Sequence, residues 1–224
     1  MKLHIFYRHY NITGNDFKQR PVWFDYEACF KNLLDTINND ERVTLHVIMD
    51  GSIQDNWIKS YSDHFIAHEI QAGNDQASFL STYSYANNID TDLYYFLEND
   101  YLHVRGWVDK VFELFSTYQG LDYVSLYDHN DKYFLSMYDD LVSKIFTTNS
   151  HHWRTTPSTC GTYIVTKKVF KDDFEVPFRI PGDHNKFLYL NQTKGRAVIT
   201  PIPGLSTHCM DGLLSPTINW KTLC

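Results

Sequence analysis

The 224-residue sequence predicts an α/β fold: a Rossmann-like, mostly parallel central sheet flanked by helices. Three observations predict it. Strand-like and helix-like segments alternate from the first residues onward. Residues 93–97 form a continuous apolar run, as expected of a central parallel strand covered on both faces. The crossovers between successive strands are short and helical, which favours parallel pairing with helices on the two faces.

Residues 3–7 read as a short apolar first strand, followed by a polar loop over 8–20. In 24–38, Cys29, Phe30, Leu33, Leu34 and Ile37 recur at helical spacing. Residues 44–49 make a second strand that stops at the turn signal Asp50-Gly51-Ser52. A short helix at 54–65 and a short strand at 68–71 come next. Residues 74–86 predict a helix with Phe79, Tyr83 and Ala86 on one side. After the 93–97 strand, the helix at 105–118 places Trp107, Val111, Leu114 and Phe115 on one face. Residues 123–127 are a further strand. The second half is less regular: a polar stretch over 128–160 with room for a helix at 138–145, then a strand at 162–166, a helix at 185–193 and a last strand at 197–201. Pro201, Pro203, Gly204 and Pro216 make the tail loop-like. No repeat, low-complexity tract or linker interrupts the chain, so one domain over 1–224 is expected.

Composition narrows the function classes. A hydrophobic fraction of 43% supports a sizeable core. The 16 Tyr and 15 Phe suit either an aromatic core or a polar-lined ligand cleft. A net charge of -7 without any basic run excludes a nucleic-acid-binding face. The same acidity would repel a nucleotide diphosphate unless a cation stood between them. Cys29, Cys160, Cys209 and Cys224 lie far apart with no CxxC pair, which argues against a zinc knuckle or a thioredoxin-like site. No apolar stretch approaches the roughly 20 residues of a membrane span. The start, Met1 to Arg8, is too short and polar for a signal peptide. A reducing, cytoplasmic setting is expected, in which the sequons at Asn11 and Asn191 stay silent. Three motifs are missing: GxGxxG after the first strand, GxxxxGK[ST], and GxSxG. Their absence disfavours a dinucleotide site, a P-loop and the usual hydrolase elbow.

Ligands of open α/β sheets bind beyond the carboxyl ends of the strands. Asp50, the Glu98/Asp100 pair and Asp128 fall there. In extended backbone Glu98 and Asp100 point the same way, so the pair is either a site for a hard divalent cation or a solvated acidic turn. His208, in the tail, either completes such a site or is an ordinary loop histidine. Asp183 precedes a helix and is either its N-cap or a general base. In His151-His152-Trp153-Arg154 the adjacent histidines make a poor metal pair. Trp153 and Arg154, with Asp128, are candidates for an acceptor face, a surface loop being the alternative.

Taken in order, these features resemble the A-type nucleotide-sugar glycosyltransferases, including the large inverting family 2. The resemblance covers nearly the whole chain. Phe6-Tyr7-Arg8-His9 is similar to the segment that wraps the nucleotide base and ribose. Asp50 matches the strand-end Asp that contacts the base. Gly73-Asn74-Asp75-Gln76-Ala77-Ser78 resembles the segment that meets the nucleotide ahead of the metal motif. Tyr95-Phe96-Leu97-Glu98-Asn99-Asp100 resembles the D-x-D segment, with Glu in first place. The resemblance implies donor contacts from Tyr7, Arg8, His9, Asp50, Gly73, Asn74, Gln76, Ala77 and Asn99. It implies a metal, Mn2+ or Mg2+, on Glu98, Asp100 and His208, and a base at Asp183, where Gly182-Asp183 replaces the usual Glu-Asp pair. A nucleotide-diphosphate sugar, most often UDP-linked, would be the donor, and a glycan or other hydroxyl the acceptor. Residues 1–130 would form the donor half and 131–224 the acceptor half. For a phage- or virus-encoded member the setting would be the host cytoplasm. The competing classes are a nucleotidyltransferase acting on sugar phosphates, a non-catalytic carbohydrate- or protein-binding module and a metal-dependent hydrolase.

Overall fold

The computed structural model describes residues 1–10 and 18–224. The sequon at Asn11 and the middle of the loop read at 8–20 lie outside them. In chain order the elements are β1 (Leu3–Tyr10), α1 (Tyr26–Ile37), β2 (Val43–Asp50), β3 (Ile66–Ile70), α2 (Asp75–Ala86), β4 (Leu93–Glu98), β5 (Tyr101–His103), α3 (Trp107–Thr117), β6 (Tyr123–Val124), β7 (Ile145–Thr147), β8 (His152–Thr156), β9 (Tyr163–Thr166), α4 (Lys167–Asp172), α5 (Val176–Arg179), α6 (Asp183–Gln192), β10 (Val198–Ile202) and β11 (Ser206–His208).

Nine strands form one sheet in the order β3-β2-β1-β4-β9-β6-β10-β8-β7, and β5 pairs with β11 in a small second sheet. The β3-β2-β1-β4 portion is parallel throughout. β9 then runs antiparallel between β4 and β6. β10 returns parallel to β6, and β8 and β7 close the edge antiparallel. The α/β architecture with helices on both faces is as the alternation predicted.

β4 explains why the sheet is central. Leu93, Tyr95 and Leu97 point to a core packed by Phe30 of α1 and by Trp107, Val111 and Phe115 of α3. Tyr94 and Phe96 point to the opposite core with Phe79 and Tyr83 of α2 and Phe170 of α4. The aromatic richness lies largely in this second layer, where Phe6 stacks on both Phe96 and Tyr94 at 5.6 and 6.0 Å between ring centres. α1 starts where the Asp25 side chain accepts from the Ala28 amide.

Four readings are corrected. The segment at 54–65 is helical but in 3-10 form, Ile53–Asp55 and Trp57–His64. The helix expected at 138–145 is absent; a 3-10 turn ends at Tyr138, and Ile145 opens β7 instead. There the exposed Val142 supplies no apolar face for a helix to bury. β8, α4 and α5 were not foreseen. The tail is not all loop, since Ser206–His208 pairs with Tyr101–His103. Among the described residues no helix is long and apolar enough to cross a membrane.

Three buried polar residues give testable consequences. Asp173, 0% exposed, accepts from Tyr123 Oη at 2.9 Å and from Arg196 at 2.8 and 3.0 Å, and pairs with Lys194. It joins the end of α4 to the approach to β10. Replacing it by Ala leaves two cations without their buried anion, and we expect a loss of about 3 kcal/mol in urea unfolding. His46 and His103 are held neutral by burial, their pKa values pulled down to about 4 and about 3. An unfolded chain takes up protons at these histidines near pH 6.5, before the folded one does. Stability contributed by neutral burial is therefore complete above about pH 6.5 and is lost as pH falls toward about 4, by up to about 1.4 kcal/mol per unit for each histidine. Urea midpoints measured across that range should fall accordingly.

Candidate functional site

The carboxyl end of β4 runs into the tight turn Glu98-Asn99-Asp100, which leads directly into β5. Because β11 pairs antiparallel with β5, His208 stands opposite Tyr101 and its ring lies flat on the Tyr101 ring, 5.0 Å between centres. That ladder brings His208 Nε2 to 2.9 Å from Asp100 Oδ2, across 108 residues of sequence. Glu98, Asp100 and His208 each offer a ligand atom within 4.8 Å of the others.

Asp100 is 1% exposed. Burial opposes its ionisation, but His208, Lys18 and Arg20 outweigh burial and hold its carboxyl well below the usual range. Lys18 Nζ and Arg20 Nη2 donate to Oδ2 at 2.7 and 2.9 Å. Oδ1 has no hydrogen-bond partner among the described residues. Glu98 behaves oppositely: burial raises its pKa against the pull of Arg8. Two hard oxygen donors and an imidazole, with one buried carboxylate oxygen left over, fit a divalent cation of the Mn2+ or Mg2+ type.

A second group adjoins the first. Arg8, on β1, donates to Glu98 Oε1 at 2.8 Å and to Asp75 Oδ1 at 2.9 Å. Asp183 is the first residue of α6, and Lys186, one turn on, donates to its Oδ1 at 2.8 Å. Gly182, not Asp183, occupies the N-cap position, and no side chain caps this helix. Lys186 Nζ lies 4.6 to 5.0 Å from the ring centres of Phe79, Tyr163 and Phe187, which fix its direction. Gly161 lets the two groups approach: a Cβ there would lie 2.8 Å from Glu98 Oε1 and 3.4 Å from Asp183 Oδ2. The residues of this group line a cavity of only about 60 Å³. A far larger cleft, about 800 Å³, opens at the end of α1 beside Arg105 and holds none of these residues. The charged groups converge at the smaller one.

The remaining expected donor residues sit nearby in structural roles. Tyr7 Oη donates to the Asn99 carbonyl at 3.4 Å. Asn99 Nδ2 lies 2.9 Å from His9 Nδ1, and burial draws the His9 pKa down to about 4. Asp50 accepts from the Ala72 and Gly73 amides at 2.8 and 2.9 Å, bracing the turn before α2. Gly73 takes φ +72°, a left-handed backbone that favours glycine. Asn74 is the N-cap of α2, accepting from the Ala77 amide, and Gln76 lines the small cavity. On the expected acceptor side, Trp153 is 0% exposed and presents no ring face for stacking. Arg154 is turned inward onto Asp128 at 2.8 Å, and the Tyr133 hydroxyl donates to the same carboxylate. This trio is not joined to the Asp183 group by any hydrogen bond among the described residues.

Sequence reasoning missed Lys18, Arg20, Asp75, Gly161 and Lys186. Lys186 was findable, since a Lys three residues after Asp183 on a helix faces it. Asp75 stood inside a quoted segment. Lys18 and Arg20 lie in an aperiodic polar loop and gave no signal.

No protein-family model and no curated protein matches this sequence. Solved structures match its fold. The S. aureus TarS fragment 1–349 superposes with TM-score 0.54 at 11% identity, over 89% of this chain and 58% of that one. This chain therefore spans little more than half of that fragment. CMP:2-keto-3-deoxy-manno-octonic acid synthetase complexed with CTP also gives 0.54 at 11% identity, over 91% and 92%. A candidate nucleotide-diphospho-sugar transferase from Desulfovibrio desulfuricans G20 gives 0.52 at 10% identity, over 89% and 80%. At such identities the likeness is one of fold. The chain has the A-type fold of nucleotide-diphospho-sugar transferases, which is the fold the sequence resemblance implied.

Proposed function

We propose that this chain is a divalent-cation-dependent glycosyltransferase that moves a sugar from a nucleotide-diphosphate donor, with uridine the favoured base, to a hydroxyl of a glycan or other acceptor. The observation that carries this reading is the meeting of Glu98, Asp100 and His208 beyond the parallel strand ends, beside Arg8 and the Asp183–Lys186 pair. Residues 1–130 supply the donor half, and 131–224 the acceptor half.

A divalent cation held by Glu98, Asp100 and His208 would supply Lewis-acid stabilisation of the diphosphate leaving group. Arg8 and Lys18 are the cations placed to bind phosphate oxygens once their carboxylate partners are engaged elsewhere. Asp183 is half-exposed and held at one oxygen by Lys186, which leaves Oδ2 to accept the acceptor hydroxyl proton. Attack from that side gives inversion by a single displacement. The cavity of about 60 Å³ holds a water or two, not a nucleotide sugar. Donor entry thus requires the Arg8 and Lys18 side chains to turn from carboxylates toward phosphates.

A nucleotidyltransferase reading is favoured by one observation, the fold match to a CMP-sugar synthetase over 92% of its length. It predicts pyrophosphate release from a nucleoside triphosphate and a sugar substrate, which the transferase reading does not.

Thermal-shift titration with nucleotide sugars, with and without Mn2+, tests the assignment. Asp100→Ala should abolish the metal-dependent part of donor binding; unchanged donor affinity in Mn2+ would end the metal reading. Asp183→Asn should leave donor binding intact and lower transfer on the order of 100- to 10,000-fold. A fully active Asp183→Asn enzyme would remove Asp183 as the base.

A further inference from the structure

We propose that Lys18 is a displaceable resident cation of the Glu98–Asp100–His208 cluster, competing with the divalent metal for the same space. The inference rests on the cation-site reading above and deepens it.

Lys18 Nζ lies 2.7 Å from Asp100 Oδ2, 3.3 Å from His208 Nε2 and 4.0 Å from Glu98 Oε2. It therefore faces all three residues of the cluster at once. A metal with bonds of about 2.1 Å to the same residues would stand in the region the ammonium fills. Two cations that close repel strongly, so one must leave.

The two cations on Asp100 are not equivalent. Arg20 is 11% exposed on its side chain, donates to the Cys209 carbonyl at 2.9 Å and to Tyr26 Oη at 3.1 Å, and lies over the Phe24 ring at 4.4 Å. It is anchored on several sides. Lys18 is 41% exposed, and its ammonium is a compact charge on a flexible stem. The Lys18 stem reaches solvent, so its ammonium can turn toward an arriving phosphate, while Arg20 keeps Asp100 partly neutralised. The metal-free protein thus holds its buried carboxylate in balance, at the expense of intrinsic metal affinity. A donor diphosphate that gives the displaced ammonium a new partner would tighten metal binding, and metal would tighten donor binding by the same factor.

The test uses the full chain and Mn2+ alone, reading free Mn2+ by its electron paramagnetic resonance signal. Lys18→Met should bind Mn2+ roughly tenfold or more tightly than wild type, because a cationic competitor is gone. Lys18→Arg, which keeps the charge, should stay near wild type; tightening by Lys18→Met but not by Lys18→Arg is a contrast that a merely structural lysine would not give. Asp100→Asn should abolish binding in both the wild-type and Lys18→Met backgrounds. Without metal, Lys18→Met should melt at a lower temperature than wild type, and saturating Mn2+ should restore it. If Lys18→Met does not fold, Lys18→Gln takes its place. Equal or weaker Mn2+ binding by the neutral variants, no binding by any variant, or no effect of Asp100→Asn overturns the proposal. Tighter Mn2+ binding with no response to any nucleotide sugar would leave the proposal standing and sink the transferase reading. Donor binding with Mn2+ that is indifferent to Lys18 would do the reverse.

Discussion

The burial of the Asp100 carboxylate is the constraint around which the site is arranged. An ionised carboxylate removed from water costs several kcal/mol unless cations and hydrogen-bond donors surround it. The chain meets that cost with three residues from two segments distant in sequence. Arg20 and Lys18 come from the stretch after β1, and His208 comes from the tail. Each brings its own backbone to the end of β4. The tail is fixed there by the β5–β11 ladder. β5 is in turn fastened to α1, because the Asn32 side chain accepts from the His103 amide at 2.7 Å and donates to the His103 carbonyl at 3.1 Å. One buried charge thus ties the first loop, the middle of the chain and its last strand to a common point.

The sheet makes such a point rigid. β4 is covered on one face by α1 and α3 and on the other by the stacked aromatic layer, so its end cannot shift without opening a core. The candidate site residues sit where that rigid frame gives way to turns: Glu98 at the end of β4 and Asp100 after it, Arg8 near the end of β1, and Asp183 at the start of α6. α6 docks through Phe187 against Tyr123 and Tyr163. The position of Asp183 is therefore set by packing against the same layer that sets Glu98. Gly161, at the approach to β9, is the place where the two carboxylates come near each other, and any side chain there would push Glu98 aside.

What was legible in the sequence follows from how each element is specified. β4 and the helices α1, α2 and α3 announce themselves through apolar periodicity, because each buries a full face. β11 does not, since Ser206-Thr207-His208 is short and polar and its pairing is imposed by β5. The loss of the 138–145 helix and the gain of the edge strand β7 and its neighbour β8 have the same origin: short strands at the margin of a sheet are defined by partners, not by their own pattern. The Asp100–His208 meeting was legible only through resemblance to a known family. Asp50 and Asn74 are expected at the donor; their side chains accept from backbone amides next to α2, a use of Asx residues that sequence does not distinguish from ligand contact. Trp153 read as a cleft aromatic because it adjoins His151, His152 and Arg154; tertiary packing buries it.

The site is also nearly balanced in charge before any ligand arrives. Among the described residues, Arg8, Lys18 and Arg20 face Asp75, Glu98 and Asp100 in one chain of ion pairs, and Lys186 and Asp183 form a separate pair beside it. A diphosphate and a divalent metal together bring compensating charges into that set, so they can enter by exchange. On the proposed reading, a metal would be held by the carboxylates, and the released side-chain cations would meet the phosphates. Either ligand alone would leave one sign in excess in a space with little room for water. If the proposed reading holds, an arrangement of this kind would favour joint entry of metal and donor, and would reconcile a chain of net charge -7 with an anionic substrate.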